Sequence, residues 1–244
     1  MAQQDLRGSA NVSERAGLPP ALAISTVIFA LRPDPESGRP ALWLPLVRRI
    51  REPYRGLWAL PGGPLGAGES LREAAAANLA QTTGLAPKYL EQLYAFGGTD
   101  RSPSPRLVSI VYWALVQPDE AALSRRDANV SWFPASRTGE LAFDHNEIVE
   151  YALWRLRNRM EYGSIAYAFL GETFTLAQMR EVYEAVLGRE LDPANFRRQL
   201  RSAPDIEATG GYLQGGRHRP PRLYRYTGPT APGDLSTGLT TTEQ

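Results

Sequence analysis

The segment from Gly63 to Leu85 constrains the fold more than any other part of the chain, because a glycine-rich loop leads directly into a helix with clear signals at both ends. Ser70 and Glu73 have the spacing of a capping box, in which each side chain bonds the backbone of the other residue. Gly84 suits the left-handed residue that follows a helix. Apolar side chains recur at helical spacing, at Leu71, Ala74, Ala75 and Leu79. The segment therefore predicts a loop followed by one amphipathic helix.

One face of this predicted helix carries Asn78, Gln81 and Thr82, at relative positions i, i+3 and i+4. Magnesium is a hard cation that carboxylates hold, so two amides and a hydroxyl are poor ligands for it. Without a bound metal there is no Lewis acid and no activated water for attack on a phosphorus atom. Glu69 and Glu73 remain, but Glu73 is the predicted capping partner. We therefore predict no metal site and no catalytic residue here.

The spacing of this segment resembles a Nudix box. Five residues fall on that pattern, namely Gly63, Glu69, Leu79, Gly84 and Leu85. The preceding residues 57–63, LWALPGG, resemble the approach to the box in the same family. In active Nudix hydrolases glutamates stand at the three polar positions of the helix face, and an arginine stands at the place of Ala77. The resemblance implies an α/β/α sandwich over residues 21–145 that has lost its hydrolytic chemistry.

Apolar runs rich in β-branched and aromatic residues predict strands around this helix, at residues 21–31, 41–49, 107–116 and 131–134. Pro45 interrupts the second run, which predicts an edge strand or a bulge there. Asp144 and Glu147 have capping-box spacing and predict a second helix that extends to about Tyr162. His145, in its first turn, is expected to be an ordinary surface or core histidine.

A cluster of arginines and aromatic residues precedes the glycine-rich loop. A guanidinium group pairs well with phosphate, and an aromatic ring can stack on a base. Any one of these residues alone would be expected to lie in a solvated loop, but the cluster beside the glycines predicts a site for a nucleotide diphosphate. The candidate ligand-binding residues are Arg48, Arg49, Trp58, Gly62, Gly63 and Glu69.

Composition excludes several classes of protein. The chain has no cysteine, so it has neither disulfides nor thiolate sites, and its two histidines, His145 and His218, are far apart in sequence. Residues 1–20 are polar without the apolar core of a signal peptide, and they predict a disordered arm. No apolar run approaches the roughly 20 residues that span a bilayer, so we expect no membrane contact and a cytoplasmic location. Lys88 is the only lysine.

Residues 173–227 contain their own helix start and stop signals, which predict a second domain. Thr175 and Gln178 form another capping box, and Gly188 suits the end of that helix. Asp192 and Pro193 then provide an N-cap and a first helical residue for the next helix. A helix, a short turn with glycine and a second helix form the helix-turn-helix pattern, and the hairpin that follows completes a winged helix.

Basic side chains lie on the two elements that a winged helix presents to DNA. Seven arginines fall between Arg197 and Arg225 against two acidic residues, in a chain whose formal net charge is +1. Such residues can grip phosphates and read base edges. An arginine-rich helix alone is usually a solvated face, but charge on the helix and on the hairpin together favours DNA binding. The candidates are Asn195, Arg197, Arg198, Arg201, Arg217, His218, Arg219 and Arg222.

The altered box followed by this module, FTLAQMREVYEAVLG, LDPANFRRQL and GGRHRPPRLYRY, resembles the NrtR family, the Nudix-related transcriptional regulators of NAD metabolism. The resemblance covers residues 21–226 and implies an α+β fold. It also implies a homodimeric repressor that binds a double-stranded operator at genes of NAD synthesis or salvage. ADP-ribose or a related nucleotide would be the effector, and no cofactor would be required. Residues 146–172 would connect the two domains, and residues 228–244 predict a disordered tail.

Two alternatives stay open at this stage. The first is an active pyrophosphohydrolase on ADP-ribose or NADH that recruits Glu69, Glu73 or a carboxylate outside the box. The second is a nucleotide-binding interaction protein whose winged module contacts protein instead of DNA.

Overall fold

The computed structural model of the chain describes residues 19–87, 89–103, 106–117, 121, 127–160, 164–214 and 220–229. Within these residues, one mixed sheet of seven strands forms the first half of the molecule. The strands are β1 (Ala21–Pro33), β2 (Pro40–Arg48), β3 (Trp58–Ala59), β4 (Gly62–Pro64), β5 (Tyr89–Phe96), β6 (Leu107–Val116) and β7 (Val130–Pro134). Several predicted residues lie outside the described part of the chain: 1–18, Lys88, Arg217, His218, Arg219 and 230–244.

The sheet is built on β1, which pairs in parallel with β6 over ten residues. The main order is β3-β2-β1-β6-β5, with β4 paired to β1 and β7 paired to β2. Every pair other than β1 with β6 is antiparallel. Because β2 pairs with the end of β1 and β4 with its beginning, the first glycines of the predicted loop lie directly against β1.

Side chains alternate across the two central strands and fill a core on each face of the sheet. Ile24, Ile28 and Ala30 of β1 pack with helix α1 (Leu71–Thr83), whereas Val27 and Phe29 pack with helix α2 (His145–Met160). One helix therefore covers each face, and the predicted α/β/α sandwich is confirmed.

Helix α1 begins and ends as its sequence predicts. The Ser70 side chain accepts from the Glu73 amide, and the Glu73 carboxylate accepts from the Ser70 amide at 2.8 Å. Gly84 is left-handed, with φ of 72°, and its N–H bonds the carbonyl oxygen of Ala80. The buried face carries Ala74, Ala75 and Leu79, and it includes Thr83.

One local prediction was wrong, and another was right about Pro45 only locally. An edge strand or a bulge was predicted at Pro45; β2 as a whole has neighbours on both sides, but pairing with β1 ends at Trp43 and pairing with β3 begins at Val47, so Pro45 pairs only with β7. The missing N–H of Pro45 is tolerated because β2 has by then separated from β1. Asp144 does precede α2, but its two carboxylate oxygens accept from Arg101 instead of forming a capping box.

The second half of the molecule is a winged helix. A six-residue 3₁₀ helix (Ser164–Phe169) leads to α3 (Leu176–Leu187) and α4 (Pro193–Arg201), followed by the hairpin of β8 (Ile206–Tyr212) and β9 (Arg222–Tyr226). Thr175 caps α3 in a capping box with Gln178, and Asp192 caps α4 with Pro193 in its first turn. The predicted helix-turn-helix and wing are thus present.

One continuous apolar cluster joins the two halves. Met179 and Val182 of α3 and Phe196 of α4 belong to the same buried cluster as Phe29 and the apolar face of α2. Arg157 of α2 also donates from Nε to the carbonyl oxygen of Val186 at 3.1 Å. In the described part of the chain, no helix is both long and apolar enough to cross a membrane.

Candidate effector cavity and DNA-binding face

A cavity of about 160 Å³ lies where β1 and β6 begin, beside the start of α2. It forms because β4 and the loop after β2 close over this end of the sheet. Its lining contains two arginines, a histidine and two serines, and no acidic side chain. The lining residues are Ala23, Ile24, Ser25, Arg49, Ala59, Leu60, Gly62, Gly63, Arg101, Leu107, Ser109, Phe143 and His145.

Close packing requires a glycine at position 62 of the cavity wall. A Cβ atom on Gly62 would lie 2.2 Å from the carbonyl oxygen of Ile24, because β4 approaches β1 there. A side chain at Gly62 would therefore displace the backbone of the cavity wall. A Cβ on Gly63 would lie 2.7 Å from Oδ1 of Asn78, the end of a side chain that can move.

Arg49 lines the cavity with its guanidinium group partly buried. Nε donates to the carbonyl oxygen of Pro53 at 2.7 Å, and the group lies 4.6 Å from the centre of the Phe143 ring. Burial lowers the pKa of Arg49 from its ordinary value. The ring of Tyr54 meets Phe143 edge-on at 4.9 Å, and both aromatic residues have positive φ. The loop after β2 is thus held against the cavity by aromatic and cation–π contacts.

Arg101, which sequence reasoning missed, is the most deeply held cation of the cavity. Its side chain is 3% exposed, and Nε and Nη2 donate to the two carboxylate oxygens of Asp144 at 2.8 and 2.7 Å. Nη1 is buried and has no acceptor among the described residues. The pair is visible only in the folded structure, because 43 residues separate Arg101 from Asp144 in the sequence.

His145 completes this side of the cavity. Its Nδ1 accepts from the backbone N–H of Leu60 at 3.0 Å, and its ring packs 5.4 Å from that of Phe143. Burial lowers the pKa of His145 to about 4, so the ring is neutral near pH 7. With Nδ1 accepting, the neutral ring carries its hydrogen on Nε2. The residue is a buried core histidine held at Nδ1, as expected.

The structure places the six predicted ligand residues in two groups. Arg49, Gly62 and Gly63 line the cavity. Arg48 is exposed and donates to the carbonyl oxygen of Gly56 at 3.3 Å, and the Trp58 ring packs on Phe133 at 5.0 Å. Glu69 accepts from the Gly66 amide at 2.6 Å, within the glycine-rich loop. These last three lie outside the cavity wall.

The helix face that would hold a metal does not fit one. The Thr82 hydroxyl donates to the carbonyl oxygen of Asn78 at 2.6 Å, and Glu73 is used in the cap. The Ser70 backbone N–H bound to Glu73 lowers the pKa of that carboxyl group. Among the residues that the structure describes, no group of three or more His, Cys, Asp or Glu could hold a metal ion. The donor set is therefore one that magnesium disfavours.

A second concave surface, of about 480 Å³, lies on the winged helix between the start of α3, α4 and the wing. Arg197 and Arg201 of α4 and Arg222 of β9 line it together, beside Thr175 at the start of α3. A helix N-terminus carries partial positive charge, so it adds to the field of the three arginines. We call this surface the arginine hollow.

The remaining described candidates share helix α4. Asn195 and Arg198 are both exposed, and Nη2 of Arg198 donates to Oδ1 of Asn195 at 2.7 Å. Phe196 and Leu200 are buried on the opposite face, as predicted, with Phe196 meeting the Tyr183 ring edge-on at 5.2 Å. The helix is thereby anchored by one face, and its polar face is left to solvent.

A Nudix-like sheet with one helix on each face, joined through one apolar core to a winged helix with an arginine hollow, places an enzyme fold and a DNA-binding fold in one chain. The family models agree: residues 23–152 match the NUDIX domain, and residues 166–226 match the NrtR DNA-binding winged helix domain. The chain belongs to the NrtR family.

Two relatives support this assignment, and a third relative is described as an enzyme. An "ADPR responsive transcriptional repressor NtrR" of Acinetobacter baylyi is 30% identical over 213 residues, covering 85% of this chain and 82% of that protein. The crystal structure of Shewanella oneidensis NrtR with a 27mer DNA matches with a TM-score of 0.71 and 31% identity, over 84% of this chain and 93% of that one. An ADP-ribose pyrophosphatase of Methanocaldococcus jannaschii is 32% identical over 111 residues, which are 45% of this chain and 66% of that protein.

Proposed function

We propose that this protein is a transcriptional repressor of genes for NAD biosynthesis or salvage, and that its Nudix-like domain senses ADP-ribose or a related nucleotide without cleaving it. The observation that carries the proposal is a Nudix fold, whose described residues offer no cluster of metal ligands, joined to the arginine hollow through one apolar core. The Acinetobacter relative, a repressor named for its response to ADP-ribose, supports repression and a response to this effector.

Helix α4 is the element that would enter the major groove. Its exposed face presents Asn195, Arg197, Arg198 and Arg201, residue types that bind base edges or phosphates. The wing carries Arg222 to the same surface, so a DNA backbone could contact α4 and β9 together. We also propose DNA contacts for Arg217, His218 and Arg219, which lie between β8 and β9 in the sequence and outside the described residues.

An effector can change DNA affinity only if it binds the two arrangements of the protein with different affinity. Helix α2 is the element suited to this coupling, because it begins beside the cavity and its apolar face packs with α3. Arg39 of the β1–β2 turn also pairs with Glu190, which lies between α3 and α4. This pair is exposed and lies at the other end of β1 from the cavity, so we assign the coupling to α2.

We further propose a homodimer that binds a near-palindromic operator. Two-fold symmetry would place the half-sites about 10 base pairs apart, or a multiple of that distance. A regulator must act where the chromosomal DNA is, so we place the protein in the cytoplasm of its cell. Neither a metal nor an organic cofactor would be required for DNA binding.

The test is selection of DNA from a random pool, with and without ADP-ribose. Enrichment of a near-palindromic sequence whose recovery changes with ADP-ribose is the expected result. Binding that is weak and indifferent to salt would contradict DNA contacts by this surface and would favour a protein partner instead.

A second candidate function, hydrolysis of ADP-ribose, is favoured by the similarity to the Methanocaldococcus pyrophosphatase. It would require Glu69, Glu73 or a carboxylate outside the box, and Glu69 and Glu73 accept hydrogen bonds from the backbone of Gly66 and Ser70. A magnesium-dependent assay on ADP-ribose and NADH decides between the two. Turnover of roughly 1 per second or more would establish an enzyme; we expect none above background.

A further inference from the structure

The face of α2 that points away from the core carries aromatic side chains in contact with solvent. Trp154 is 53% exposed, and the centre of its ring lies 5.5 Å from that of Tyr151. The Tyr151 ring in turn lies 5.5 Å from Tyr94 and 5.9 Å from Phe96, both on β5, and Tyr94 is 56% exposed. These ring contacts hold the exposed side chains in place. Tryptophan and tyrosine in such a cluster are the residue types that dominate the binding energy of protein interfaces.

The neighbouring edge of the sheet is a poor template for a partner strand. β5 ends the main strand order, but its register against β6 shifts between Gln92 and Tyr94, as it does at a β-bulge. A bulge in an edge strand bends that strand and interrupts continuous pairing with another one. A partner at this surface would therefore be held by side chains of α2 and not by the backbone of β5.

The exposed residues of α2 have the spacing of a coiled-coil seam. The side of the helix opposite its buried residues carries Glu147, Glu150, Tyr151, Trp154, Arg155 and Asn158. In one heptad frame, Tyr151 and Asn158 take position a, and Trp154 takes position d. Glu150 and Arg155 then take the flanking positions g and e. The face thus has two aromatic rings at its centre, an acidic residue on one flank and a basic residue on the other.

The charge on this face is complementary to a second copy of the same face. In a parallel helix pair, a residue at position g of one helix meets the residue five positions later, at position e, in the other helix. Glu150 and Arg155 are five positions apart, so two-fold symmetry would form this ion pair twice. Within the described residues, neither side chain has an ion pair or a hydrogen bond of its own. Both are therefore available to a partner.

We propose that the exposed face of α2 is the centre of the homodimer interface, with the two copies of α2 parallel and Glu150 of each copy paired with Arg155 of the other. The inference rests on the homodimer of the proposed function and identifies the surface that forms it. Tyr151 and Trp154 pack against their counterparts about the two-fold axis. Asn158 lies at position a, where a polar side chain favours two helices in a single register.

Sedimentation equilibrium of the full-length protein gives the dimer dissociation constant of the wild type and of each variant. Trp154→Ala removes the central ring from both copies and should raise this constant about thirtyfold or more. Glu150→Arg and Arg155→Glu each place like charges opposite one another twice, and each should raise it about tenfold or more. Glu172→Arg is the matched control, because Glu172 is also exposed but precedes α3, and it should leave the constant unchanged.

Mixing the two charge variants separates a change at the interface from a defect in folding. A dimer of one Glu150→Arg chain and one Arg155→Glu chain regains both ion pairs, so it should be about tenfold or more tighter than the dimer of either variant alone. The double variant restores both pairs in one chain and should dimerise within about threefold of the wild type. Absence of recovery in both experiments would overturn the pairing of Glu150 with Arg155.

The absence of cysteine from the chain allows the orientation of the helices to be measured directly. Asn158→Cys introduces one thiol per copy, and a parallel pair brings the two thiols together, so a short bifunctional maleimide should link the copies. In an antiparallel pair centred on Tyr151 and Trp154, these thiols would lie about 16 Å apart. A thiol from Glu147→Cys in the other copy would meet them instead. A link that forms only in a mixture of these two variants would overturn the parallel arrangement.

The outcomes distinguish this interface from the function on which it rests. A dimeric wild type whose α2 variants dimerise equally well would overturn the interface and leave the homodimer. A monomeric wild type would overturn both. Selection of DNA tests the repressor separately, because a protein that enriches no sequence fails as a repressor whatever its oligomeric state.

Discussion

The arginines of the cavity and those of helix α4 have the same functional group but opposite surroundings. Arg101 is held by both oxygens of Asp144 and is nearly inaccessible, so its position is set by the protein. Arg197 and Arg201 are exposed and have neither an ion pair nor a hydrogen bond among the described residues. A buried guanidinium group held by a carboxylate has a fixed position and can select a small ligand by shape, whereas exposed groups without such bonds can adapt to a long polyanion. This is the difference that we expect between the proposed effector site and the proposed DNA-binding surface.

The largest expected difference between the two regions is in their response to salt. DNA binding by exposed arginines releases counterions, so affinity should fall about a thousandfold or more between 50 and 200 mM salt if a dimer makes at least about six phosphate contacts. ADP-ribose affinity should change less than about tenfold, because buried charges are screened less. Titrations of both ligands over the same salt series measure this. Equal slopes would remove the distinction.

The stability of the protein should depend on pH because His145 is buried. Burial lowers the pKa of His145 to about 4, below its ordinary value of about 6.5, so the unfolded chain takes up the proton first as the pH falls. The stability that the protein owes to the lowered pKa of His145 is complete above about pH 6.5. It is lost toward pH 4, where the free energy of unfolding is lower by about 3 kcal/mol. Denaturant titrations at several pH values measure it.

His145→Asn is the control for this effect, since an amide oxygen can still accept from Leu60 but does not titrate in this range. The wild type should lose more stability than this variant between pH 6.5 and 4. Parallel curves would show that His145 does not titrate as its burial indicates.

Substitution of one exposed arginine on α4 should moderately weaken DNA binding and should not affect ADP-ribose binding. Arg197→Ala is expected to weaken binding of the selected operator by about 1 to 3 kcal/mol and to leave ADP-ribose affinity unchanged. Arg72→Ala, which removes an exposed arginine from α1, serves as the matched control and should leave operator affinity unaltered. If both variants bind equally well, α4 is not the recognition helix.

The smallest expected effect is at the cap of α1. Ser70→Ala should lower the free energy of unfolding by about 1 kcal/mol, because the Glu73 amide loses its acceptor. Ser70→Asp restores a capping oxygen and should recover most of that loss. Neither change should affect DNA affinity, since the cap lies in the Nudix-like half. A chemical denaturation curve for each variant is the measurement.

Predictions from the sequence were correct where the interacting residues lie within one short segment. Ser70 with Glu73 and Thr175 with Gln178 form the expected capping boxes because partners three residues apart meet in any helix start. The same reasoning failed at Asp144, which has the right neighbour for a box but is bound by Arg101 from a distant loop. The predicted ligand residues likewise divide, since only Arg49 and the two glycines reach the cavity.

The amino-acid sequence by itself determined the helices, the caps of α1, α3 and α4, and the arginine face of α4, because each depends on periodicity or on contacts between residues a few positions apart. Tertiary structure decided the cavity, since its wall joins β1, β4, β6 and the start of α2 from separate parts of the chain. The partner of Arg101, the burial that lowers the pKa of His145 and the single core that links both halves all arise from long-range packing, which no local pattern encodes.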